Sequence, residues 1–506
     1  MAVYTTKDIP LQKRYILIKN LAPANIVFLW VVLHLMGLKS AAQDMTGIVS
    51  DRYSGVNRGI INPANLFDSP NCLDISLVTG SFGVQNNYFY LPRGDFNPRD
   101  ILDFRNTIYE NRRDYFSERV NIEQITGFQY ARLQGPSVLF KYKNHAFAFT
   151  NSIRAVSSAR RLPQHVLKFT MEGLTYTPQI DILFSEPRPF SMATMSWAEV
   201  GIGYATNLSR HSGHELTAGI TLKRLWSYHS LSIRSDDLIY FVDQNRDIFL
   251  LRFNSTAMGA LPLDYNNMQF TGSEDLIRGK GFAFDLGISF TQNLRYRRRS
   301  MERLYTISPY EPYIYRIGFS LLDFGAVQMK ENIRSIIFEE AALIWNNPNI
   351  EEYGNIDELI DDMESGLVRG EIRRTEGEAF TMYLPSAASV QFDYNLGSNF
   401  FAYFLWVQDL PVMKNRLARP SYVGFIPRYE TRWFSLAIPM TLYEYRKPGI
   451  GVSMRLGVLT IGTEQPGGML HLNDMDGMDI YFSISFGLEN CSRKRGKINP
   501  CFNYWR

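Results

Sequence analysis

Beyond residue 42, no segment of this sequence is apolar for long enough to cross a membrane as a helix. A spanning helix needs roughly 20 consecutive apolar residues, and no later stretch approaches that length. Net charge is also small, because 53 basic and 50 acidic residues leave only +3. These two absences exclude a protein of helical membrane spans and give no reason to expect a nucleic-acid partner.

The sequence also lacks the patterns that assemble a catalytic site. It contains no HExxH, GxSxG, CxxC or P-loop motif, and Gly201-x-Gly203 lacks the third glycine of a dinucleotide-binding loop. Histidines beyond residue 42 are few: His145, His165, His211, His214, His229 and His471. We therefore expect no enzyme activity and no cofactor.

Two polar segments are candidates for metal binding, and we favour a plain turn for both. His211 and His214 are three residues apart in a predicted turn. Asn473, Asp474, Asp476 and Asp479 offer alternating oxygen ligands, but the distal bidentate Glu of a full calcium loop is missing. We expect no metal site.

The amino terminus has the pattern of an export signal. Four basic residues precede an apolar run at 26–38, which is too short to span a bilayer and is followed by Ser40-Ala41-Ala42. We predict a cleaved signal peptide over residues 1–42, with an N-terminal membrane anchor as the alternative. The residue after the cleavage site is Gln43 and not Cys, which argues against a lipoprotein anchor.

Large apolar residues alternate with small or polar ones in many segments, and this period of two predicts β-strands. The alternation is most regular at residues 198–204, 216–223, 282–290, 450–457 and 480–488. The first two segments predict a hairpin. Further strands are predicted at 73–79, 82–90, 126–133, 137–142, 146–153, 315–322, 388–394, 400–407, 423–429 and 434–443, with a tight turn at Lys143-Asn144.

The minor face of these strands separates a membrane barrel from a soluble β-sandwich. A sandwich would place Lys, Glu and Thr on its solvated face, whereas Gly and Ser dominate here, with isolated charges of both signs. Aromatic residues reach 14% although the mean hydropathy is only −0.18. Alternate lipid-facing residues and interfacial Tyr and Trp produce that combination. We predict an all-β, transmembrane antiparallel barrel in residues 71–490, with about 14 strands and 12 as the alternative.

The predicted barrel resides in the outer membrane of a Gram-negative bacterium, in contact with its lipid. Long polar stretches at 93–124, 157–191, 229–278 and 330–378 are predicted as extracellular loops, because barrels place their long loops outside. Within the last stretch, residues 333–345 and 356–367 have helical spacing and predict two short helices.

Several charges fall on the polar phase of their strands and are predicted to face the lumen. A lipid-facing Arg or Lys at midplane would cost roughly 2–4 kcal/mol, so inside the barrel these charges must pair or stay wet. They form either a structural ion-pair network, which we favour, or a polar gate or head-group site. The residues are Glu199, Lys223, Asp285, Arg316, Asp393, Arg428 and Arg455.

Asn62-Pro63-Ala64, just before the first strand, resembles the Asn-Pro-Ala motif of the long-chain fatty-acid transporter superfamily of outer-membrane barrels. Over nearly the whole chain beyond the leader, the sequence looks like an uncharacterised branch of such barrels. The matching stretches include Gly135-Pro136-Ser137, Gly279-Lys280-Gly281, Ser320-Leu321-Leu322-Asp323-Phe324-Gly325, Pro427-Arg428-Tyr429-Glu430 and Arg455-Leu456-Gly457.

The resemblance implies a hatch-like segment over residues 43–70, of which 43–69 would enter the lumen. Pro63 and the turn-forming Asn62 and Asn65 predict a hatch without regular structure. It also implies passive transport of a hydrophobic ligand or lipid, or alternatively a non-transporting barrel that scaffolds surface secretion or envelope assembly with a protein partner. A hydrolase is the third hypothesis, and no spacing favours it.

The carboxyl end departs from the usual barrel terminus. The last predicted strand ends near Leu488 and a basic tail follows over residues 491–506, whereas typical barrels finish on an aromatic residue of the last strand. Two of the three cysteines, Cys491 and Cys501, flank this tail. An exported compartment would permit a disulfide between them, and the sequence alone does not establish one.

Overall fold

The structure is a computed structural model that describes residues 44–93, 117–211, 213–265, 269–270, 276–293, 313–348, 353, 355–469, 472 and 474–488. The predicted signal peptide and the basic tail lie outside these residues. No helix in the described ranges is long and apolar enough to cross a membrane.

Fourteen antiparallel strands close into one barrel, as the alternation predicts. The first strand pairs with the last from Leu73–Leu488 to Gln85–Gly477, so the sheet has no edge at this seam. Bulges and bends interrupt several strands. In chain order they are β1 (Leu73–Asn86), β2 (Gln124–Gln134 and Ser137–Tyr142), β3 (His145–Pro163), β4 (Phe190–His211), β5 (His214–Val242), β6 (Ile248–Ala260 and Gly279–Asn293), β7 (Tyr313–Met329 and Ile333–Trp345), β8 (Leu367–Glu376, Phe380–Tyr383 and Ala387–Gly397), β9 (Phe400–Asp409), β10 (Tyr422–Glu430), β11 (Phe434–Ala437 and Met440–Tyr443), β12 (Lys447–Ile450 and Val452–Leu456), β13 (Leu459–Thr463) and β14 (Gly477–Leu488).

Outside the barrel wall, the described residues form four α-helices and several short elements. Short strands pair at Phe89–Tyr90 with Ser117–Glu118 and at Leu263–Asp264 with Gln269–Phe270, and Phe184–Glu186 pairs with β5. The helices are α1 (Thr46–Ser50), α2 (Gln164–Glu172), α3 (Ile356–Ser365) and α4 (Pro466–Met469), with 3₁₀ turns at Arg52–Ile60, Pro63–Leu66, Gly173–Thr175 and Thr177–Gln179.

The outer surface of the wall is apolar, because the large members of the alternation point outwards. Phe282 is 68% exposed and Ile450 is 64% exposed, values that no core residue would have. Their neighbours in sequence face inwards, and many of those are Gly, Ser or charged. Such an apolar band on the outside with a polar interior is the arrangement of a transmembrane barrel.

Several strands continue far beyond the length that a membrane requires. Strand β5 has 29 residues, whereas roughly 9–11 tilted residues cross a bilayer. The continuing parts of β3 to β8 form a second section of sheet, which we call the outer extension, on the side of the long connections. The prediction of a loop over residues 229–278 is therefore largely wrong, since most of that range is strand.

The outer extension also overturns one of the two predicted helices. Ile333–Trp345 is a strand, paired with β6 on one side and β8 on the other. A register shift near Glu340, whose φ is 45°, breaks the alternation and gives the segment an apparently helical spacing. The second helix is found as α3, with Asn355 capping its first turn at 2.9 Å from the Glu358 amide nitrogen.

Unlike the wall below it, the outer extension has an apolar interior. Leu238, Tyr240 and Val242 of β5 point inwards and pack with Phe338, Leu343 and Trp345 of β7. Helices α2 and α3 cover this core with Leu167, Ile360 and Met363. At the opposite end of the barrel, several of the described connections are short, including the predicted tight turn at Lys143-Asn144, which joins the Tyr142–His145 pair.

Candidate functional site: a plugged lumen

The segment of residues 44–69, which we call the plug, lies inside the barrel and is almost entirely buried. The prediction that this segment has no regular structure is wrong, because the plug folds into α1 and two 3₁₀ turns. Polar side chains start these turns: Asp51 accepts a hydrogen bond from the Tyr53 amide at 2.8 Å, and Asn62 accepts one from the Ala64 amide at 2.9 Å. Pro63 then occupies the first position of its turn.

Asn62 joins the plug to three strands of the wall. Its side-chain amide donates to Gln391 Oε1 of β8 at 2.7 Å, and it lies 3.3 and 3.4 Å from the carbonyl oxygens of Ile288 and Phe319. Beside it, the Ser320 hydroxyl donates to the Ile61 carbonyl at 2.6 Å. Asn62-Pro63-Ala64, the motif that carries the resemblance, is thus a contact point between plug and wall.

Glycines in the wall make room for this contact. A Cβ atom on Gly219 would overlap the backbone of Pro63 and Ala64, and one on Gly287 would overlap the Asn62 amide. On Gly203, a Cβ would press on Leu66. These glycines on the minor face of the strands are therefore explained by the plug, whose backbone and side chains approach the wall too closely for a Cβ atom.

Acidic residues of the plug form ion pairs with arginines of the wall and of an outer connection. Asp51 pairs with Arg455 at 2.7 Å and Asp68 pairs with Arg316 at 3.0 Å. Asp44, at the start of the plug, pairs with Arg419 of the β9–β10 connection. All of these groups are buried, and removing one partner of such a pair is strongly destabilising.

An ion-pair network centred on Asp323 lies on one side of the plug. Asp323 accepts two bonds from Arg154, both at 2.9 Å, and one from Lys223 at 2.7 Å. Lys223 also donates to Asp285 at 2.8 Å. Arg154 continues to Glu199 at 3.3 Å, and Glu199 also meets Arg132 at 3.2 Å. Arg419 lies 3.5 Å from Asp323, so the network reaches the plug through Asp44.

A second network surrounds Arg428 of β10. Its guanidinium donates to both carboxylate oxygens of Asp393, at 3.0 and 2.9 Å, and to Glu430 at 3.0 Å. The Tyr313 hydroxyl donates to Asp393 at 2.7 Å, and the backbone nitrogen of Arg52 in the plug donates to Glu430 at 3.2 Å. This bidentate geometry is the strong form of an Arg–carboxylate pair.

Each of the seven charged residues predicted to face inwards is buried, and each has an oppositely charged partner. Glu199, Lys223 and Asp285 join the Asp323 network, Asp393 and Arg428 form the second network, and Arg316 and Arg455 bind the plug. Whether they act as a structural network or as a polar gate stays a prediction.

Sequence reasoning missed the central residue, Asp323. Strict alternation along β7 places Arg316, Gly318 and Ser320 inside and would place Asp323 towards lipid. A bulge in β7, where Leu322 and Asp323 lie opposite Asp285 of β6, gives Asp323 a φ of 51° and turns its carboxylate inwards. The sequence did contain a signal: strict alternation would make Asp323 a charged residue facing lipid on an otherwise regular strand. Arg154 was missed because the predicted strand ended one residue before it.

A small cavity lies between the plug and the wall. A cavity of about 40 Å³ lies between plug residues Val56 and Ile60 and the wall residues Arg132 and Asp323. Since a water molecule needs roughly 10–15 Å³ of such volume, this cavity holds only a few waters.

Histidines occupy ordinary polar or aromatic contacts. His211 and His214 are register partners at the β4–β5 turn, and His214 stacks on Phe290 at 5.4 Å. Ser196 Oγ lies 2.7 Å from His229 Nδ1, but a nucleophile also needs an orienting group and oxyanion donors. No group of three His, Cys, Asp or Glu that could hold a metal occurs in the described ranges.

One cysteine lies within the described residues. Cys72, just before β1, is disulfide-bonded. Cys491 and Cys501 lie outside the described residues. The expected Cys491–Cys501 bridge therefore stays a prediction.

Several solved barrels align with the chain over most of its length. The deltaS2S3 mutant of the TodX monoaromatic hydrocarbon channel aligns at a TM-score of 0.42 and 10% identity, over 90% of this chain and 98% of the other. The Ralstonia pickettii toluene transporter TbuX gives 0.36 and 9%, over 86% and 93%. A Pseudomonas aeruginosa FadL homologue gives 0.21 and 8%, over 85% and 94%. At these values nothing about function follows from the likeness.

Comparison of sequences places the chain in one family. No curated protein matches it significantly. The sequence model of a family described as "Family of unknown function (DUF5723)" matches residues 63–464, from the plug to the end of β13. The expectation of an uncharacterised family is thus confirmed. Because this match covers most of its length, the chain belongs to the Family of unknown function (DUF5723).

Proposed function

We propose that this protein is an outer-membrane barrel that lets a small hydrophobic molecule or lipid pass, with the plug as its gate. The observation that carries the proposal is a plug joined to the wall by many hydrogen bonds and ion pairs, beneath the apolar core of the outer extension. The substrate enters the outer extension, and the plug must rearrange before it can continue.

The nature of the plug contacts supports a movable element. Asn62, Asp51 and Asp68 hold it by hydrogen bonds and ion pairs. When the plug moves and water enters the lumen, these groups can exchange a protein partner for water and are not left buried and unpaired. The plug also packs apolar side chains such as Val49, Ile61 and Leu66 against the wall, and these contacts oppose its movement.

The outer extension supports a hydrophobic substrate. Its interior is packed with Tyr240, Ile248, Phe338 and Trp345. A path that opens within this core would have the aliphatic and aromatic lining that small apolar ligands bind. The polar plug below it would exclude ions and water-soluble solutes. An apolar entrance and a polar closure together favour passage of apolar compounds.

Locking the plug to the wall tests the proposal. Asn57 of the plug donates to Ser483 Oγ of β14 at 3.0 Å, so the double variant N57C/S483C places two thiols close together. Cells lacking the native protein would carry wild type, the double variant or either single variant. The rate of uptake of labelled toluene and of a labelled long-chain fatty acid is measured with and without dithiothreitol.

We expect the oxidised double variant to lose uptake to the level of cells without the protein and to regain it on reduction. The single variants, treated identically, control for reduction of the native disulfide at Cys72. If the locked protein takes up both probes at the wild-type rate, the plug is not a gate. If wild type takes up neither probe faster than cells without the protein, transport of these compounds fails.

A second candidate, a scaffold for surface secretion or envelope assembly, is favoured by the outer face of the extension. Among the described strand pairings, the Leu367–Glu376 segment of β8 pairs only with β7. Its other edge faces solvent. Arg369, Arg373 and Glu371 are exposed there. If gentle extraction returns the protein alone at its monomer mass, this candidate fails.

A further inference from the structure

Two basic side chains lie on the outer surface of the barrel where the wall meets the outer extension. Arg224 of β5 follows Lys223, and because neighbouring residues of a strand point to opposite faces, Arg224 points outwards while Lys223 faces the lumen. Lys280 of β6 is exposed on the same surface. It is the second residue of Gly279–Asn293, the part of β6 that belongs to the wall.

The register of β5 and β6 brings these two cations close together. Arg224 lies opposite Phe282 and Trp226 lies opposite Lys280, so Arg224 and Lys280 are diagonal neighbours on one face. Such neighbours are roughly 7–8 Å apart, a distance that long side chains can bridge. Lys280 also lies opposite Gln328 of β7, whose side chain is exposed. We call this surface, formed by Arg224, Trp226, Lys280 and Gln328, the basic patch.

Carboxylates of the protein do not neutralise the basic patch. Lys223, on the inner face, pairs with Asp285 at 2.7 Å. Arg224 instead donates to the backbone carbonyl of Gly281 at 3.3 Å. Among the described residues, neither Arg224 nor Lys280 has a carboxylate partner. Two positive charges are thus available to an external anion.

The basic patch lies at the boundary of the apolar band. Arg224 Cζ is 4.2 Å from the ring centroid of the exposed Phe282 and 5.8 Å from that of Trp226. Leu222, two residues further from the outer extension on the same face of β5, is 58% exposed. An outward Arg or Lys is unfavourable at the bilayer midplane but costs little near an interface, where Trp also collects. The two cations therefore lie at the head-group level of the outer leaflet, with apolar surface directly below them.

A ligand that matches this surface has a negatively charged head group and an apolar body. Lipid A, the membrane part of lipopolysaccharide, is the phosphorylated lipid of the outer leaflet in Gram-negative bacteria, and its phosphates lie at the head-group level. Its acyl chains would lie along Phe282 and Leu222, which are both exposed. Because a soluble phosphate would gain nothing from this apolar surface, the arrangement favours a lipid.

We propose that the basic patch binds a phosphate group of lipid A. The Arg224 guanidinium and the Lys280 ammonium donate charge-assisted hydrogen bonds to the phosphate oxygens, and the Gln328 amide donates to the adjacent sugar. The bound lipid holds the barrel at a fixed depth, with the outer extension above the membrane surface. The inference concerns the outer surface of the barrel and does not depend on what the barrel transports.

Binding of lipid A to the purified full chain in detergent micelles tests this site. Native mass spectrometry measures the dissociation constant of lipid A and of the same lipid after its phosphates have been removed. One basic residue near a membrane surface strengthens the binding of an anionic lipid about fivefold, so two such residues strengthen it roughly 30-fold. We expect lipid A to bind roughly 30-fold more tightly than its dephosphorylated form. Excess inorganic phosphate, added at constant ionic strength, should not displace it.

Variant R224Q/K280Q removes both charges, and it should bind lipid A roughly 30-fold more weakly than wild type does. R369Q/K414Q removes two exposed charges, from the outer extension and the β9–β10 connection. It is the matched control and should bind as tightly as wild type. Heat-modifiable electrophoretic mobility checks that each variant is folded, and the comparison of the two lipids on wild type needs no variant. Equal affinity of wild type for both lipids, unchanged affinity of R224Q/K280Q, an equal loss in the control, or displacement by inorganic phosphate would overturn the proposal.

Discussion

Asp323 is the single residue on which most of the lumen charge depends. Arg154, Lys223 and Arg419 all bind it, from β3, β5 and the β9–β10 connection. Because these cations have few other carboxylates, loss of Asp323 leaves them buried and incompletely neutralised. The residue therefore joins wall, outer connection and plug in one electrostatic unit.

Substitution D323A should destabilise the folded barrel by about 3–5 kcal/mol, the range for breaking a buried ion pair. Chemical unfolding in micelles, followed by the heat-modifiable electrophoretic mobility of barrels, measures this loss. The control is E340A, which removes an exposed pair with Arg369 and should change stability by less than about 1 kcal/mol. Equal effects of the two substitutions would contradict the assigned role of Asp323.

Gly219 gives a second test at this scale. Substitution G219A places a Cβ against the backbone of Pro63 and Ala64, so we expect a stability loss of about 1–3 kcal/mol from overpacking. At Gly127 the nearest atoms to a new Cβ are 3.7 and 3.8 Å away, and G127A should be close to neutral. Limited proteolysis should cut the plug faster in G219A only. A plug that stays equally protected in both variants would contradict the close contact.

At the scale of elements, the stability of the outer extension depends on pH. His165 of α2 stacks between Phe184, at 4.3 Å, and Tyr240, at 5.6 Å. Burial lowers the pKa of His165 from 6.5 to about 4. The folded state thus favours neutral histidine, and the stability it contributes is present above pH 6.5 and is lost as the pH falls towards 4.

We expect the fluorescence-detected unfolding midpoint of wild type to fall between pH 6.5 and 4 by more than that of H165F. Phenylalanine keeps the aromatic stacking and removes the titration. The difference between the two proteins, measured at each pH, isolates this histidine from the general effect of acid. Parallel curves for the two proteins would contradict a buried, neutral His165.

Elements also differ in how far the sequence predicts them. The hairpin at residues 198–223 is regular because lipid imposes one apolar phase, and its strands are found as expected. In the outer extension the apolar phase reverses: Leu222 faces outwards on β5, whereas Leu238 and Tyr240 face inwards. Because of this reversal and the register shifts between the two parts, the sequence predicted loop and helix where the outer extension has strands.

At the scale of the whole molecule, the barrel closes because many short alternating segments pair side by side in one ring. A single-chain barrel needs an even number of strands, so the alternating segments predicted fourteen, with twelve as the alternative. The structure has fourteen, and the seam between β1 and β14 completes the ring. The plug was predicted through a resemblance, since its short turns have no period that alternation could reveal. Its partners in the wall depend on which strands meet across the lumen, and only the closed structure brings them together.

The central claim is that the plug closes a barrel that would otherwise conduct. Electrical conductance in planar lipid bilayers tests it most directly, with the full chain compared with a variant that lacks residues 44–69. We predict no stable conductance for the full chain and well-resolved channel openings for the variant, because the lumen lined by Asp323, Arg428 and Ser289 would fill with water. Stable openings of equal size in both proteins would contradict the account.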